Sequence, residues 1–289
     1  MFDGTVGNWD TVPVNLELKP GSKSFNSKYY PVPRINKKTF HKEIKSLVEI
    51  GVLATVQKIQ YGTPVFIILE KKGTARFITE YLRLNQQLVR KPYPLPRIVD
   101  TMQQLEGFRC AIELDLNMGY YTIRISPASQ DMTIIVTEFG KFRYNCLPMD
   151  MCDLGDIFQA KVDKVLSDIE VTKMYIDDIL VLRKGCFSNH IGHPRMIFGR
   201  LQIAGLKVSA PKCSFGLKDL PYLRYVITRK CIKPDPNKVQ GIMDLGRPAT
   251  TTENRALIGM VHFYRDMWRS WSHILAPLKE AASDPKVRK

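Results

Sequence analysis

The sequence lacks any long hydrophobic run, although 44% of its 289 residues are hydrophobic. No apolar stretch approaches the roughly 20 residues that a helix needs to span a bilayer. The first ten residues, MFDGTVGNWD, also lack the apolar core of a secretory signal. We therefore expect an intracellular protein that does not insert into a membrane.

The sequence also lacks cysteine pairs at the spacing of a zinc site or a redox motif. No C-x-x-C occurs, and no histidine stands at zinc-ligand spacing from a cysteine. This pattern favours reduced thiols and a reducing compartment over disulfides or structural zinc. The six cysteines are Cys110, Cys146, Cys152, Cys186, Cys213 and Cys231.

Acidic residues are scarce relative to basic ones. The chain has 28 Asp and Glu against 43 Lys and Arg, which gives a formal net charge of +15. Such a charge repels itself and is typical of proteins whose partner is a polyanion, above all nucleic acid. The alternative is a basic protein with no such partner, because the basic residues are spread along the chain rather than gathered in one block.

No internal repeat or low-complexity tract is present, so local patterns must define the organisation. Residues 1–35 carry Pro and Gly with little periodicity, which predicts an extended arm. From Thr39 onward, an apolar stripe at helical spacing predicts a helix that ends at Gly51; its members are Phe40, Ile44, Leu47 and Val48. The β-branched run PVFIIL at 64–69 and the segment RFITEY at 76–81 predict a hairpin with a basic tip.

Two further segments predict strands, and a third predicts a short helix. AIELDL at 111–116 is a predicted strand with Asp115 near its end, and NMGYYTIRI at 117–125 also has strand composition. A short helix is expected around Val99 to Leu105. From Pro236 onward the pattern is helical.

The most informative feature is the pair Asp177 and Asp178, which interrupts the apolar run VTKMYIDDILVL at 171–182. Adjacent acids in such a run are tolerable at a turn or at a metal site. If the strand with Asp115 lies alongside, Asp115 and Asp177 could share two Mg²⁺ ions, for which oxygen ligands are suited. The alternative is an ordinary hairpin turn with Asp115 as a surface acid.

The surrounding motifs favour the metal site. Y-I-D-D within a strand-forming run, together with L-D-L followed by Gly119 and Tyr120, resembles the reverse transcriptases of Ty3/gypsy-type long-terminal-repeat retrotransposons. The resemblance runs over nearly the whole chain. Its ordered segments are PYPLPRI at 92–98, DLNMGYYTIRI at 115–125, YIDDILV at 175–181, AGLKVSAPKCSFG at 204–216, YLRYVIT at 222–228, IKPDPNKVQ at 232–240 and LIGMVHFYRDMW at 257–268.

This resemblance implies an α+β right-hand polymerase fold with fingers, palm and thumb, in which helices back an antiparallel palm sheet. It further implies a template of RNA or DNA with a primer, deoxynucleoside triphosphates, and two Mg²⁺ ions that Mn²⁺ could replace. A location in a cytoplasmic particle or in the nucleus is expected. The implied divisions are an extended arm at 1–35, fingers with the start of the palm at 36–110, a palm at 111–232 with a fingers segment near 126–158, and a thumb with the start of the connection at 233–289.

The resemblance also implies roles for individual residues. Asp115 and Asp177 are expected to bind the metals, and Asp178 completes the acidic cluster. The nucleotide would be contacted by Lys71, Lys72, Arg76, Tyr120, Met149, Asp150 and Lys212. The primer and template would be contacted by Gln159, Tyr175, Tyr222, Leu223, Arg224 and Tyr225.

Several of these roles have plain structural alternatives. Tyr120 is expected to close the sugar pocket, but either it or Tyr121 could serve core packing, since successive strand residues face opposite ways. Arg76 could belong to a solvated turn. Lys212, expected near the leaving phosphate, could be a surface residue.

Some positions depart from the family pattern. Asp150 stands where the family has Gly, Glu80 where it has Asp, Leu82 where it has Arg, and Arg224 where it has Gly. A carboxylate at 150 would add bulk and negative charge beside a triphosphate. We expect an RNA-directed DNA polymerase whose activity these changes lower. The alternative is a weak or inactive retrotransposon remnant, a fragment without protease, RNase H and integrase parts, that only binds nucleic acid.

Overall fold

The computed structural model describes residues 1–69, 75–95, 108–183, 192–229 and 231–283. The helices in this part of the chain are α1 (Lys37–Glu49), α2 (Leu82–Gln87), α3 (Pro127–Gln130), α4 (Leu154–Leu166), α5 (Gly192–Ile203), α6 (Pro236–Met243), α7 (Thr251–His262) and α8 (Trp271–Ser283). The strands are β1 (Phe25–Asn26), β2 (Leu53–Thr55), β3 (Tyr61–Leu69), β4 (Ala75–Thr79), β5 (Cys110–Asp115), β6 (Ile134–Thr137), β7 (Gly140–Tyr144), β8 (Thr172–Tyr175), β9 (Asp178–Arg183), β10 (Ser214–Leu217), β11 (Leu220–Tyr222), β12 (Tyr225–Ile227) and β13 (Ile232–Pro234).

The described residues divide into two compact units. The first contains the described residues up to 95 and those of 109–217, and the second contains Phe108 and the described residues from Lys218 onward. Helices and sheets both occur in each unit, which confirms the α+β class. The assignment of fingers, palm and thumb to stretches of the chain stays a prediction.

A four-stranded sheet in the order β10-β5-β9-β8 forms the centre of the first unit. Its strands are antiparallel, and β5 and β9 lie in the middle because their apolar residues are buried on both faces. Helix α4 packs on β8 and on α5, so helices cover one face of the sheet. This arrangement brings the end of β5 beside the start of β9.

A second sheet in the first unit has the order β1-β3-β6-β7-β2, and β4 pairs with β3. The antiparallel pairing of β3 with β4 confirms the predicted hairpin, whose tip at 70–74 lies outside the described residues. Helix α1 buries Phe40, Ile44 and Leu47 of the predicted stripe, whose fourth member Val48 is half-buried. Gly51 follows it with a φ of 75°, a left-handed conformation that glycine adopts without a steric cost.

The N-terminal arm crosses the first unit with little regular structure but with firm anchors. Trp9, Leu16 and Val32 are buried in the main hydrophobic core. Closer to the N-terminus of the arm, Asp3 forms an ion pair with Lys207. The carbonyl of Met1 accepts a hydrogen bond from the backbone N–H of Val208 at 3.1 Å. The arm is therefore part of the folded unit.

The second unit contains the sheet β11-β12-β13 and the helices α6, α7 and α8. Tyr225 and Tyr264 form its small aromatic core, with ring centroids 5.4 Å apart. Helix α7 begins with a capping box, in which Thr250 and Glu253 each bond the other's backbone N–H. The apolar and capping pattern of the sequence accounts for these helices.

The segment NMGYYTIRI departs from expectation. Residues Gly119–Thr122 form a 3-10 helix rather than a strand, after Met118 in a left-handed conformation with φ 51°. The strand composition of this segment misled because the chain turns immediately after Asp115. The helix predicted around Val99 to Leu105 lies outside the described residues.

The part of the chain that the structure describes contains five of the six cysteines. All five described cysteines are free thiols. None of the helices in the described ranges is both long enough and apolar enough to cross a bilayer.

The close crossing of the arm over the loop after α5 yields a stability prediction. Gly205 has φ 76°, and a Cβ there would overlap the Asn8 carbonyl oxygen, whereas Gly216 has φ 70° with open space around it. Both Gly→Ala changes impose left-handed strain of about 1–2 kcal/mol. In Gly205→Ala the free energy of unfolding should fall by a further ~1–3 kcal/mol through overpacking, and urea unfolding measures this loss.

Gly216→Ala is the matched control because it shares the backbone strain without the clash. Equal losses of unfolding free energy in the two variants would contradict the close packing of the arm on residue 205.

Candidate active site

The two adjacent acids lie at the tip of the hairpin formed by β8 and β9. Tyr175 pairs with Asp178, so Ile176 and Asp177 form a two-residue turn. Ile176 has a φ of 57°. A positive φ at the first turn position matches the twist of a hairpin but is normally supplied by glycine, and in a β-branched residue it costs on the order of 1–3 kcal/mol. The tip is therefore a strained turn that its surroundings must hold.

Helix α4 supplies the contact that holds this turn. The Ile176 backbone N–H donates to Oε1 of Gln159 at 2.7 Å. Gln159 is only 2% exposed. The contact of Gln159 with a primer and template stays a prediction. In the structure, the buried amide of Gln159 supports the turn. A glutamine after an apolar residue in a helix carries no sequence signal for this role.

The register of the central sheet brings Asp115 to the same tip. Asp115 stands directly opposite Asp178 across the β5–β9 pair, and Asp177 immediately precedes Asp178. Residues directly opposite in an antiparallel pair project from the same face of the sheet. Three carboxylates from two distant segments therefore meet at one edge, as the metal-site interpretation requires.

Burial, with a contribution from neighbouring acids, disfavours the ionised forms of Asp177 and Asp178. Burial, followed by the charges of Asp177 and Asp115, raises the pKa of Asp178 from 3.8 to about 6. Burial also raises the pKa of Asp177, with a contribution from Asp115 that Lys212 opposes. A site that raises the pKa of adjacent carboxylates favours binding of a cation, which would relieve the repulsion.

Glu113 is a fourth acid that sequence reasoning missed. It precedes Asp115 by two residues in β5 and therefore lies on the same face of the sheet. Its pKa is raised by burial and then by the charges of Asp178 and Asp115. The alternation of side chains along a strand could have predicted that Glu113 lies on the same face as Asp115.

Lys212 forms an ion pair with Asp115. Its Nζ lies 3.2 Å from Oδ1 and 3.4 Å from Oδ2 of Asp115. The lysine side chain is 66% exposed, so this ion pair adds little stability by itself. Its place beside an acid of the cluster fits a role in the site better than a role as an isolated surface residue.

The structure separates the two neighbouring tyrosines. Tyr121 is 7% exposed and stacks on Tyr144 in the core. Tyr120 is half-buried against Phe158, with ring centroids 4.9 Å apart, and its pKa is raised by burial and by the charges of Asp177, Asp178 and Asp115. Tyr120 is thus the tyrosine that faces the acids, as the expected sugar-pocket role requires.

The donor set of the acidic tip suits a hard divalent cation, because it consists of carboxylate oxygens that carry unfavourable charge. Within the described ranges, no three His, Cys, Asp or Glu side chains are already arranged as ligands around one point. The Asp115 carboxylate is turned toward Lys212 instead. A metal bound by Asp115 would therefore compete with this ion pair.

Asp150 occupies the loop between β7 and α4 in a left-handed conformation, with φ 69°. That conformation explains why glycine suits the position. Its Oδ2 accepts from the Thr79 N–H at 3.2 Å, and its carbonyl accepts from Nδ2 of Asn85 at 3.1 Å. The carboxylate thus ties this loop to the end of β4, and its predicted place beside the nucleotide stays a prediction.

The other predicted nucleotide contacts are placed as follows. Arg76 is exposed on β4, opposite Ile68 of β3. Met149 is half-buried and packs against the main core. Lys71 and Lys72 lie outside the described residues.

The predicted primer contacts of the second unit form the turn between β11 and β12. Leu223 and Arg224 have φ values of 46° and 71°, while Tyr222 and Tyr225 are buried. The Arg224 guanidinium lies 5.2 Å from the centroid of the Phe263 ring. The backbone carbonyl of Arg224 accepts a hydrogen bond from the Tyr264 hydroxyl at 3.2 Å. Arginine is therefore accommodated where the family pattern has glycine. Tyr175, also predicted to contact the primer and template, lies half-buried on β8 in the first unit.

Comparison with known proteins decides the family. The profile of the reverse transcriptase (RNA-dependent DNA polymerase) family matches residues 68–243. The chain belongs to the reverse transcriptase family. Its acidic tip, with Asp115, Asp177 and Asp178, lies within the matched stretch.

Individual relatives support the same conclusion. The chain is 27% identical over 92% of its length to the retrovirus-related Pol polyprotein from transposon opus of Drosophila melanogaster, and 25% identical over 82% to that from transposon gypsy. It is also 25% identical over 91% of its length to a Tf2 transposon polyprotein of Schizosaccharomyces pombe. These matches confirm the resemblance to Ty3/gypsy elements. The chain spans about a quarter of the length of the two Drosophila relatives, 27% and 24%, and 20% of the yeast polyprotein.

Solved structures confirm the polymerase fold. A foamy viral protease-reverse transcriptase in complex with double-stranded DNA matches 97% of this chain and 49% of that chain, with a TM-score of 0.90 and 22% identity. The foamy viral protein in complex with an RNA/DNA hybrid matches with a TM-score of 0.86 over 97% of this chain and 38% of that chain, also at 22% identity. The right-hand fold expected from the sequence is thus confirmed.

The raised pKa of Asp178 predicts that Asp178→Asn stabilises the metal-free protein near neutral pH. Because folding raises this pKa from 3.8 to about 6, the stability that the protonated acid provides is complete below about pH 4 and is lost as the pH rises through about 6. Removing the charge should recover on the order of 1 kcal/mol at about pH 8, after allowance for partial exposure, and almost nothing at about pH 4. Urea unfolding in a chelator measures this difference.

Asp168→Asn is a control of opposite sign. Its carboxylate bonds with Arg200, which lowers its pKa, so neutralising it should destabilise the protein above that pKa, with the effect fading as the pH falls. Destabilisation by both changes at about pH 8 would contradict charge repulsion at the tip.

Proposed function

We propose that the chain is an RNA-directed DNA polymerase that extends a primer on an RNA or DNA template with deoxynucleoside triphosphates. The observation that carries this proposal is the meeting of Asp115, Asp177 and Asp178 at one edge of the central sheet, in a member of the reverse transcriptase family. The foamy viral structures contain double-stranded DNA or an RNA/DNA hybrid, which supports a duplex of primer and template as the partner.

The acidic tip would perform the chemistry with divalent cations. Two Mg²⁺ ions held by Asp115 and Asp177, or Mn²⁺ in their place, would activate the primer 3′-hydroxyl and neutralise the triphosphate. The protein's own contribution is to hold these carboxylates in a fixed position, with Asp178 adding to the negative potential. Folding has already brought the acids together, so little rearrangement of backbone is needed at the moment of reaction.

Neighbouring residues would bind and orient the nucleotide. Tyr120, which faces the acids, would lie under the sugar and disfavour a 2′-hydroxyl. Lys212 would exchange its ion pair with Asp115 for an oxygen of the departing pyrophosphate. Arg76 would add a charge-assisted contact with the triphosphate.

A second candidate function is nucleic-acid binding with weak or no catalysis. Asp150 favours it, since a fixed carboxylate in the loop before α4 would repel a triphosphate if that loop borders the pocket. Leu82 also favours it, because this side chain is 60% exposed where the family has an arginine. The +15 net charge suits both functions.

Primer extension distinguishes the two candidates. With Mg²⁺ and an RNA template, the wild-type chain should incorporate nucleotides, and Asp177→Asn should lower the rate roughly 100-fold or more, because a ligand carboxylate is lost. Asp168→Asn removes an exposed carboxylate paired with Arg200 and should keep normal extension. A wild-type chain that binds duplex but does not extend it would support the second candidate.

Replacing Asp150 tests the effect of its charge. Asn tolerates a left-handed conformation and can still accept from Thr79, so Asp150→Asn removes the charge alone, while Asp150→Gly removes charge and side chain. Two unit charges about 6 Å apart at an effective dielectric of 20 repel by roughly 3 kcal/mol, an upper figure. Both variants should therefore raise single-nucleotide incorporation, by up to about tenfold in kcat/KM.

An increase in Asp150→Gly alone would assign the effect to backbone or bulk rather than to charge. Unchanged incorporation in both variants would contradict a place for Asp150 beside the triphosphate.

A further inference from the structure

Three side chains connect the strained catalytic turn to a distant segment of the chain. The Tyr93 hydroxyl donates to Oδ2 of Asp163 at 2.8 Å, and Nε2 of Gln159 donates to Oδ1 of the same carboxylate at 2.9 Å. Oε1 of Gln159 then accepts the Ile176 N–H at 2.7 Å. We call Tyr93, Asp163 and Gln159 the relay.

The relay has a defined direction. An ionised carboxylate only accepts hydrogen bonds, so Asp163 requires that Gln159 present its NH₂ group to it. The amide oxygen of Gln159 must then face the Ile176 N–H. Without Asp163 the amide could rotate and set its NH₂ against that N–H, which would place two donors against each other.

The position that the relay holds is the one most in need of support. Ile176 is a β-branched residue at φ 57°, a conformation that such residues rarely adopt, and Asp177 follows it directly. Release of the Ile176 N–H would let the turn relax toward an ordinary conformation. Any such change would move the Asp177 carboxylate relative to Asp115 and Asp178.

The other end of the relay is itself anchored to α4. The Tyr93 N–H donates to Oδ1 of Asp156 at 3.1 Å, and Arg90 donates to Oδ2 of Asp156 at 3.0 Å. Asp156, Gln159 and Asp163 are spaced to lie along one face of α4. The segment from Arg90 to Tyr93 and the turn at Ile176 are therefore bound to the same helical face.

We propose that Tyr93 and Asp163 are positioning residues for catalysis, which act through Gln159 to fix the turn that carries Asp177. Their contribution to the rate rests on the proposed polymerase function, but the hold on the turn does not. Neither residue touches the acids, so they would act by orienting Gln159 and through it the backbone of Ile176.

Amide hydrogen exchange in the metal-free protein tests the hold on the turn. The Ile176 N–H should exchange about tenfold faster or more in Gln159→Leu and in Asp163→Leu, and less markedly faster in Tyr93→Phe, because local opening becomes easier. Asp163→Asn should restore protection relative to Asp163→Leu, since its amide can accept from Gln159 and donate to the Tyr93 hydroxyl. The Ile135 amide, in the other sheet of the unit, should exchange as in wild type.

Tyr81→Phe is the matched control for Tyr93→Phe. Its hydroxyl donates to the Thr133 carbonyl at 3.1 Å in a buried place away from the relay, so both changes remove one hydroxyl hydrogen bond. Tyr81→Phe should leave both the exchange of Ile176 and kcat unchanged. Tyr93→Phe should lower kcat about threefold to tenfold with the KM for nucleotide within about twofold, because a displaced Asp177 affects the chemical step more than binding.

The outcomes separate the two proposals. Unchanged Ile176 exchange in Gln159→Leu would overturn the relay, as would equal losses of kcat in Tyr93→Phe and Tyr81→Phe. If the wild-type chain does not polymerise, the proposed function fails, while exchange at Ile176 still decides whether the relay holds the turn.

Discussion

The burial of neighbouring carboxylates at one edge of a sheet is the constraint on which the rest of the first unit depends. Asp115, Asp177 and Asp178 meet at the edge of the central sheet, and the pKa values of Asp177 and Asp178 are raised there by burial and by neighbouring acids. Left to itself, such a cluster would move apart or take up protons. The pairing of β5 with β9 and the hydrogen bond from α4 keep the carboxylates from moving apart. Lys212 offsets part of their charge. The burial of these acids costs stability locally, and the cations of the proposed mechanism would relieve that cost.

Helix α4 does more than cover the sheet. Its apolar side chains, Phe158 and Val162 among them, enter the main core, while its polar residues bind the segment before Tyr93 and the turn at Ile176. This helix therefore connects the packing of the main core to the turn that carries the acidic tip. Trp9 of the N-terminal arm packs against Phe158, which in turn packs against Tyr120. The arm, the helix and the tyrosine beside the acids thus form one continuous packed column.

Much of this architecture could be predicted from the sequence, and the failures have physical causes. The stripe of Phe40, Ile44 and Leu47 defined α1 because helical spacing is a strong local signal. Asp177 and Asp178 were informative because charge in an apolar strand run is costly without a compensating role. Composition could not reveal that residues 119–122 form a 3-10 helix, since a tertiary turn after Asp115 overrides strand propensity. The enclosed amide of Gln159 and the anchor of Asp150 on Thr79 depend on contacts across 17 and 71 positions, which no local pattern encodes.

The anchoring of the first residues beside Lys207 has a consequence for how the chain folds during synthesis. Met1 and Asp3 are synthesised well before their partners Val208 and Lys207, which lie more than 200 positions later in the sequence. At roughly 5–20 residues per second, the arm must wait on the order of 10–40 s before its partners exist. Trp9 must likewise wait for Phe158, its aromatic partner in the core, which also follows much later in the sequence. Contacts of such long sequence separation slow folding, so the arm should be among the last parts of the nascent protein to dock.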